Sequence, residues 1–192
     1  GVNNGWYLGP EAVRGYYDAI FERNRLESRL LQKAFPEVLG ELDEEAVYGV
    51  GMMTIRPIDT PVIEIAYDGL TAKGIWCIRG SYSQIKEGGP EAFYEWGWYA
   101  VDFLREGNGW KIWHMQYLVD VKARVGSKWW KTPDPYPALE IFEDISSLKE
   151  PEPTVPCELH QSYYTDRPFT ASPRLPEPYE CFADTFSYGL EA

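Results

Sequence analysis

Two hydrophobic periods divide the chain. Val13, Tyr16, Tyr17, Ile20 and Phe21 recur at steps of three and four, the spacing of one helix face. Gly9-Pro10-Glu11 is a matching start. Proline suits a first helical turn, and an acidic side chain suits the positive end of the helix dipole. A second helix is predicted over Arg25–Phe35, with Leu26, Leu30, Leu31 and Ala34 on one face. Pro36 closes it or opens the next turn. After Glu45 the period becomes two, which predicts strands over Tyr48–Arg56, Pro61–Tyr67, Thr71–Ser81, Phe93–Leu104 and Trp110–Val121. Turns fall at Pro57–Thr60, at Asp68-Gly69, at Gly88-Gly89-Pro90 and through Glu106-Gly107-Asn108-Gly109. Helices followed by consecutive hairpins describe an α+β domain with a curved antiparallel sheet.

Beyond residue 130 neither period persists. Residues 131–192 carry 12 acidic and 4 basic side chains and 10 of the 15 prolines. Proline fixes φ and removes a hydrogen-bond donor, so this part is expected to run extended. Tyr136, Phe142, Tyr163, Tyr164, Phe169, Tyr179, Phe182 and Phe186 are spread singly through it. Disordered tails are poor in aromatics, so an arm laid along the body is expected in preference to a free tail. The chain therefore divides into a folded part, 1–130, and an acidic, proline-rich arm, 131–192.

Charge narrows the function classes. With 18 basic and 30 acidic residues the formal net charge is −12, which repels phosphate backbones and anionic lipid; neither nucleic acid nor membrane is expected as a partner. No apolar run is long enough to span a bilayer. Three cysteines (Cys77, Cys157, Cys181) make an odd count without metal-type spacing, which favours a reducing compartment, the cytoplasm. Neither a phosphate-cradling glycine pattern nor a His/Glu metal motif is present, so no cofactor and no metal are expected. No signal peptide opens the chain, and Gly1–Gly5 reads as the middle of a longer sequence. Eight Trp and 14 Tyr point to an aromatic-lined cavity or a large interface.

The last hairpin places candidate chemistry. If its turn pairs Leu104 with Trp110, then Asp102 faces Ile112, Ala100 faces His114 and Trp98 faces Gln116, all on one side of the sheet. Asp102 and His114 become diagonal neighbours. A carboxylate that fixes an imidazole tautomer is a standard acid/base pair; the competing reading is a satisfied buried polar pair. The opposite side would carry Tyr99, Val101, Phe103, Lys111, Trp113, Met115 and Tyr117, a broad aromatic surface suited to a subunit interface. Tyr16 and Tyr17 read first as core packing, with one of them a candidate to point a hydroxyl into the cavity; Asp120 is a reserve carboxylate; and Arg79 reads as a surface pair, with Glu95 or Asp102 as the other candidate partners. Cys77 reads as a small core residue and His160 as solvated.

Three stretches resemble the SnoaL-like group of the nuclear transport factor 2-like superfamily. They are Gly5-Trp6-Tyr7-Leu8-Gly9-Pro10-Glu11-Ala12-Val13; Thr60 to Trp76, with its Pro61-Val62-Ile63-Glu64-Ile65 and Thr71-Ala72-Lys73-Gly74; and Gly97-Trp98-Tyr99-Ala100-Val101-Asp102-Phe103 followed by Gly109-Trp110-Lys111-Ile112-Trp113-His114. The likeness covers about residues 5–120. It implies a cone: a strongly curved antiparallel sheet packed on helices, with a pocket at the open end. Members of this kind use a pocket Asp and His, sometimes with Tyr, for cofactor-free proton transfer, and only Asp102 and His114 match such positions. The chain offers Met52 and Met53 where relatives often place a His. The resemblance also implies two leading helices and a first strand ahead of the given sequence, either lost or carried on another polypeptide.

Two functions are expected from this. One is a cofactor-independent lyase or isomerase, dehydratase- or cyclase-like, acting on a hydrophobic cyclic small molecule through Asp102 and His114, with Trp76, Trp98, Gln116, Tyr16 and Tyr17 lining the pocket. The alternative is a non-catalytic ligand-binding or assembly module, a homo-oligomer joined through Tyr99, Trp113 and Tyr117. A third possibility is a structural subunit of a larger enzyme, such as the small subunits of ring-hydroxylating dioxygenases.

Overall fold

The computed structural model describes residues 5–86, 89–130, 151–156, 162–166, 168 and 173–190. Its helices come first. Helix α1 (Gly9–Ala34) runs unbroken for 26 residues, so the two predicted helices are one. No proline or glycine breaks the run between Ile20 and Leu26, and Arg23 pairs with Glu27 one turn on. Pro36 ends α1 and opens α2 (Pro36–Leu39). Asp43 caps α3 (Glu44–Val47) by accepting the Ala46 amide at 2.8 Å. Leu31, Leu39 and Val47 bury against one another, with Phe35 and Val50 beside them. Gln32 donates to the carbonyls of Leu39 and Leu42, which fixes the α2 loop on α1. The first half of α1 leaves Val13, Tyr17 and Phe21 exposed, one per turn.

The sheet is antiparallel and five-stranded. Strand β2 (Met53–Ile55) and strand β3 (Val62–Ile65) both pair with β4 (Thr71–Lys86). Strand β4 pairs with β5 (Gly89–Glu106), and β5 with β6 (Gly109–Arg124). The fold is thus α+β, as the two periods predict. The predicted strand Tyr48–Arg56 shrinks to three residues, because Gly49 and Gly51 take left-handed backbone (φ 76° and 72°) and turn the chain before β2 begins. The predicted loop at Gly88–Pro90 is largely strand: β5 starts at Gly89, and Gly88 lies outside the described residues. A second small sheet joins β1 (Gly5–Trp6) to β7 (Val155–Pro156).

Alternation assigns the two sheet faces. Lys73, Ile75 and Cys77 lie opposite Asp102, Ala100 and Trp98, so they share one face. Ala72, Gly74, Trp76, Ile78, Gly80 and Tyr82 share the other with Phe103, Val101, Tyr99, Gly97, Glu95 and Phe93. Two β-bulges then shift β6 against β5, at Trp96/Gly97 and at Asp102/Phe103. The extra residues are Asp120 and Trp113.

The C-terminal residues 173–190 lie on the first face. Tyr67 and Asp68 donate backbone bonds to the carbonyls of Tyr179 and Glu180, and Tyr179 shares a hydrogen bond with Thr71. A short 3-10 turn, Phe182–Asp184, follows. Further back, the Tyr163 amide donates to the Asp120 carbonyl and Ser162 to that of Val119.

Candidate functional site

Asp102 is the centre of the first face. The bulge at Trp113 puts His114 directly opposite Asp102, not diagonal to it. The expected pairing of Ala100 with His114 is corrected to Ala100 with Gln116, because the tight turn pairs Arg105 with Trp110 and the bulge adds one further residue. Nδ1 of His114 lies 3.0 Å from Oδ2 of Asp102. A carboxylate can only accept, so the Nδ1 facing it carries the hydrogen.

Asp102 has no exposure and is shared among four donors. Lys73, equally buried, places Nζ 2.6 Å from Oδ1. The other oxygen receives His114, the Ser187 hydroxyl at 3.0 Å and the Tyr188 amide at 2.8 Å. Ser187 in turn accepts the Gly189 amide. The C-terminal residues also enclose Lys73: its ammonium sits 4.7 Å from the rings of Phe182 and Phe186, 5.2 Å from Tyr188 and 5.9 Å from Tyr179. Burial lowers the Lys73 pKa, against the hydrogen bond and charge of Asp102, which raise it.

His114 is held on three sides. The Trp113 ring stacks on it at 4.4 Å and 26°, and itself touches Phe182 at 4.7 Å. Gly189 covers the imidazole so closely that a Cβ there would stand 2.8 Å from three ring atoms. A quarter of the His114 side chain remains exposed. With both faces and Nδ1 engaged, the Nε2 edge is left without a hydrogen bond among the described residues.

The other expected site residues divide between the faces. Trp98 and Gln116 share the Asp102 side, and the Trp98 indole donates to Asp120 at 2.8 Å. Trp76 is on the opposite face, across from Tyr99 and edge-on to Phe103, because one residue of alternation separates it from Ile75 and Cys77. Tyr16 stands in α1 with its ring 4.6 Å from that of Tyr7 and 5.4 Å from that of Tyr17, which is exposed. Tyr99 and Tyr117 do stand together on the opposite face, 5.0 Å apart. Trp113 does not join them: its bulge turns it to the His114 side.

Arg79 forms the expected surface pair, with Asp59 as its partner and not Glu95 or Asp102. Glu95 is taken by Arg56 and Tyr117. Cys77 is half-buried with its thiol pKa raised by burial, in keeping with a core residue. His160 and Cys157 lie outside the described residues. Sequence reasoning missed Lys73 as a member of the centre. Its signal was its place two before Ile75, on the inward alternation of β4. Ser187, Tyr188 and Gly189 left no periodic signal.

Among the described residues no group of three His, Cys, Asp or Glu could hold a metal ion, and no helix is long and apolar enough to cross a membrane. Comparison with known proteins adds no family to this geometry: no family model matches the chain, and no curated protein matches it.

Proposed function

We propose that this chain is a cofactor-independent lyase or isomerase, dehydratase- or cyclase-like, that transfers protons on a hydrophobic cyclic small molecule. In this reading the fold is a SnoaL-like cone, and His114 is its acid/base. The observation that carries it is the fixed imidazole: Asp102 orients Nδ1, Trp113 and Gly189 hold the ring, and Nε2 is left as the reactive edge. Such a group contributes about 10²–10⁴-fold to a rate. Gln116 lies one alternation further along the same face, where its amide would polarise a substrate oxygen, and Trp98 would contact the ring. The free thiols of Cys77 and Cys181 suit a cytoplasmic setting.

The test is solvent deuterium exchange. 2-Tetralone, a bicyclic ketone with acidic α-hydrogens, is incubated with the protein in D₂O and followed by NMR. The expected result is catalysed exchange that His114→Ala abolishes and Asp102→Asn reduces. Exchange unchanged in His114→Ala would remove His114 from the mechanism.

A second reading is supported by a different observation. Asp102 spends its second oxygen on Ser187 and Tyr188 of its own chain, so the centre would serve as an anchor for the C-terminal residues. The chain would then be an assembly module, joined to a second copy through the Tyr99 and Tyr117 face and the exposed Val13, Tyr17 and Phe21 of α1. A monomer by sedimentation equilibrium would count against it.

A further inference from the structure

A second polar centre occupies the opposite face of the sheet. Glu95, nearly buried, accepts Nε of Arg56 at 2.7 Å and the Tyr117 hydroxyl. Both bonds fall on one oxygen. Gly80 makes room for the arginine, since a Cβ there would stand 3.2 Å from Cγ of Arg56. The guanidinium passes over the Tyr117 ring, 5.2 Å from its centre, and its side chain is 38% exposed.

Several donors of this centre have no acceptor. Glu95 engages only Nε of Arg56, and the Nη atoms make no hydrogen bond among the described residues. The Tyr82 hydroxyl is buried and makes no hydrogen bond. A buried unpaired hydroxyl is costly and calls for a missing partner. Tyr99, stacked near Tyr117, adds a third hydroxyl, on which the charges of Arg56 and Glu95 both act. Burial and the charge of Glu95 push the pKa of Tyr82 and Tyr117 up, so these phenols stay protonated and donate.

The local charge fits the same ligand. Alternation puts Glu91, Glu95, Lys122 and Arg124 on this face beside Arg56, with Lys122 over the Tyr82 ring and Arg124 on Glu91. Among the described residues these are three cations and two carboxylates, on a chain whose net charge is −12. An oriented guanidinium fork matches a carboxylate in two parallel bonds. Tyr99 and Tyr117 supply flat apolar walls.

We propose that Arg56, with Tyr99, forms a binding site for a small aromatic carboxylate on the sheet face opposite His114. Glu95 and Tyr117 are its positioning residues. They hold the guanidinium by Nε and by its flat face, so that the Nη edge meets the ligand.

The probe is benzoate, titrated into the full chain at constant ionic strength and followed by calorimetry and Trp fluorescence. Benzyl alcohol and chloride at equal concentrations serve as controls. Saturable benzoate binding is expected, at least about tenfold weaker in Arg56→Gln, as loss of a charge-assisted bond implies. Tyr99→Phe should weaken it several-fold, while His114→Ala leaves it unchanged. Arg56→Gln strands Glu95, so Arg56→Lys is measured beside it: the charge stays, the fork is lost, and affinity should fall similarly with an unchanged circular dichroism spectrum. Benzoate binding no better than benzyl alcohol, or equal affinity in a folded Arg56→Lys and the parent, would overturn the site. Loss of benzoate binding in His114→Ala alone would assign the ligand to the other face.

Discussion

His114 stands directly across the β5–β6 ladder from Asp102 because Trp113, the residue before it, is bulged out of that ladder. The same bulge lays the Trp113 ring over the imidazole. The dyad is thus a product of an irregularity, and Asp102 at its centre also carries a buried ion pair. Lys73 and Asp102 are both without exposure, 2.6 Å apart. Removing one partner of such a pair leaves a bare buried charge, which costs roughly 3–5 kcal/mol.

Lys73→Met and Asp102→Asn are therefore each expected to lower the free energy of unfolding by several kcal/mol. The double variant should lose less than the sum, with a coupling of about 1–3 kcal/mol. The introduced asparagine would still accept the Tyr188 amide, and the introduced methionine would fill the aromatic enclosure. Guanidinium denaturation of all four proteins closes the cycle, and strict additivity would show that the pair does not couple.

Ser187 ties the C-terminal residues to that centre. Its hydroxyl gives one bond to Asp102 and receives one from Gly189. The Tyr188 hydroxyl reaches the Arg174 carbonyl, and the Arg174 guanidinium lies over Phe186. Ser187→Ala removes a hydrogen bond to a charged acceptor, worth about 1.5–3 kcal/mol. The loss should appear as local opening more than as global unfolding. Faster exchange of the Tyr188 amide and faster tryptic cleavage after Arg174, with a nearly unchanged urea midpoint, are the expected pattern. An equal loss of protection in β4 and β5 would mean that the segment and the sheet open together.

Gly189 and Gly15 should respond to alanine with opposite signs. A Cβ at Gly189 would press on three atoms of the His114 ring at 2.8 Å, held from behind by Trp113. Overpacking of this kind costs about 1–3 kcal/mol. At Gly15, inside α1, a Cβ meets nothing within 4 Å, and alanine should stabilise by about 0.5–1 kcal/mol. Thermal melts rank the three proteins, and the ring signals of His114 should move only in Gly189→Ala. A neutral Gly189→Ala would mean that the segment yields freely around the imidazole.

The sequence made legible whatever repeats. The step of three and four gave α1, although nothing in it could show that Phe21 and Leu26 belong to one helix. Alternation gave the β3–β4 hairpin at Asp68-Gly69 and put Asp102 and His114 on the same side. It could not reveal the extra residues at Trp113 and Asp120, since a bulge leaves composition and turn chemistry untouched while changing every later partner. Trp76 escapes the same reading for a related reason: an aromatic between Ile75 and Cys77 carries no mark of its face until Lys73, three residues before it, is known to point inward. Ser187, Tyr188 and Gly189 reach Asp102 from far along the chain, which no local pattern encodes.

Alkaline pH should weaken the fold, and the sign follows from the buried phenols. Burial raises the pKa of Tyr82, Tyr99, Tyr117, Tyr179 and Tyr188 above the ordinary value of 10.0. Cys77 is likewise raised above 9.0 by burial. Above these ordinary values the unfolded chain loses protons that the folded chain keeps. Folding then takes up protons, and stability falls as pH rises. Lys73 works the other way: its lowered pKa makes stability rise with pH, but only until 10.5, where the unfolded lysine also titrates. Five phenols and a thiol outnumber one amine, so unfolding free energies should be level near pH 8 and decline from about pH 10 upward. Absorbance at the tyrosinate band should show a late-ionising group among the 14 tyrosines that collapses to the ordinary range in guanidinium. Stability held constant to about pH 11.5, with every tyrosine ionising together in the folded protein, would mean that these hydroxyls meet water freely.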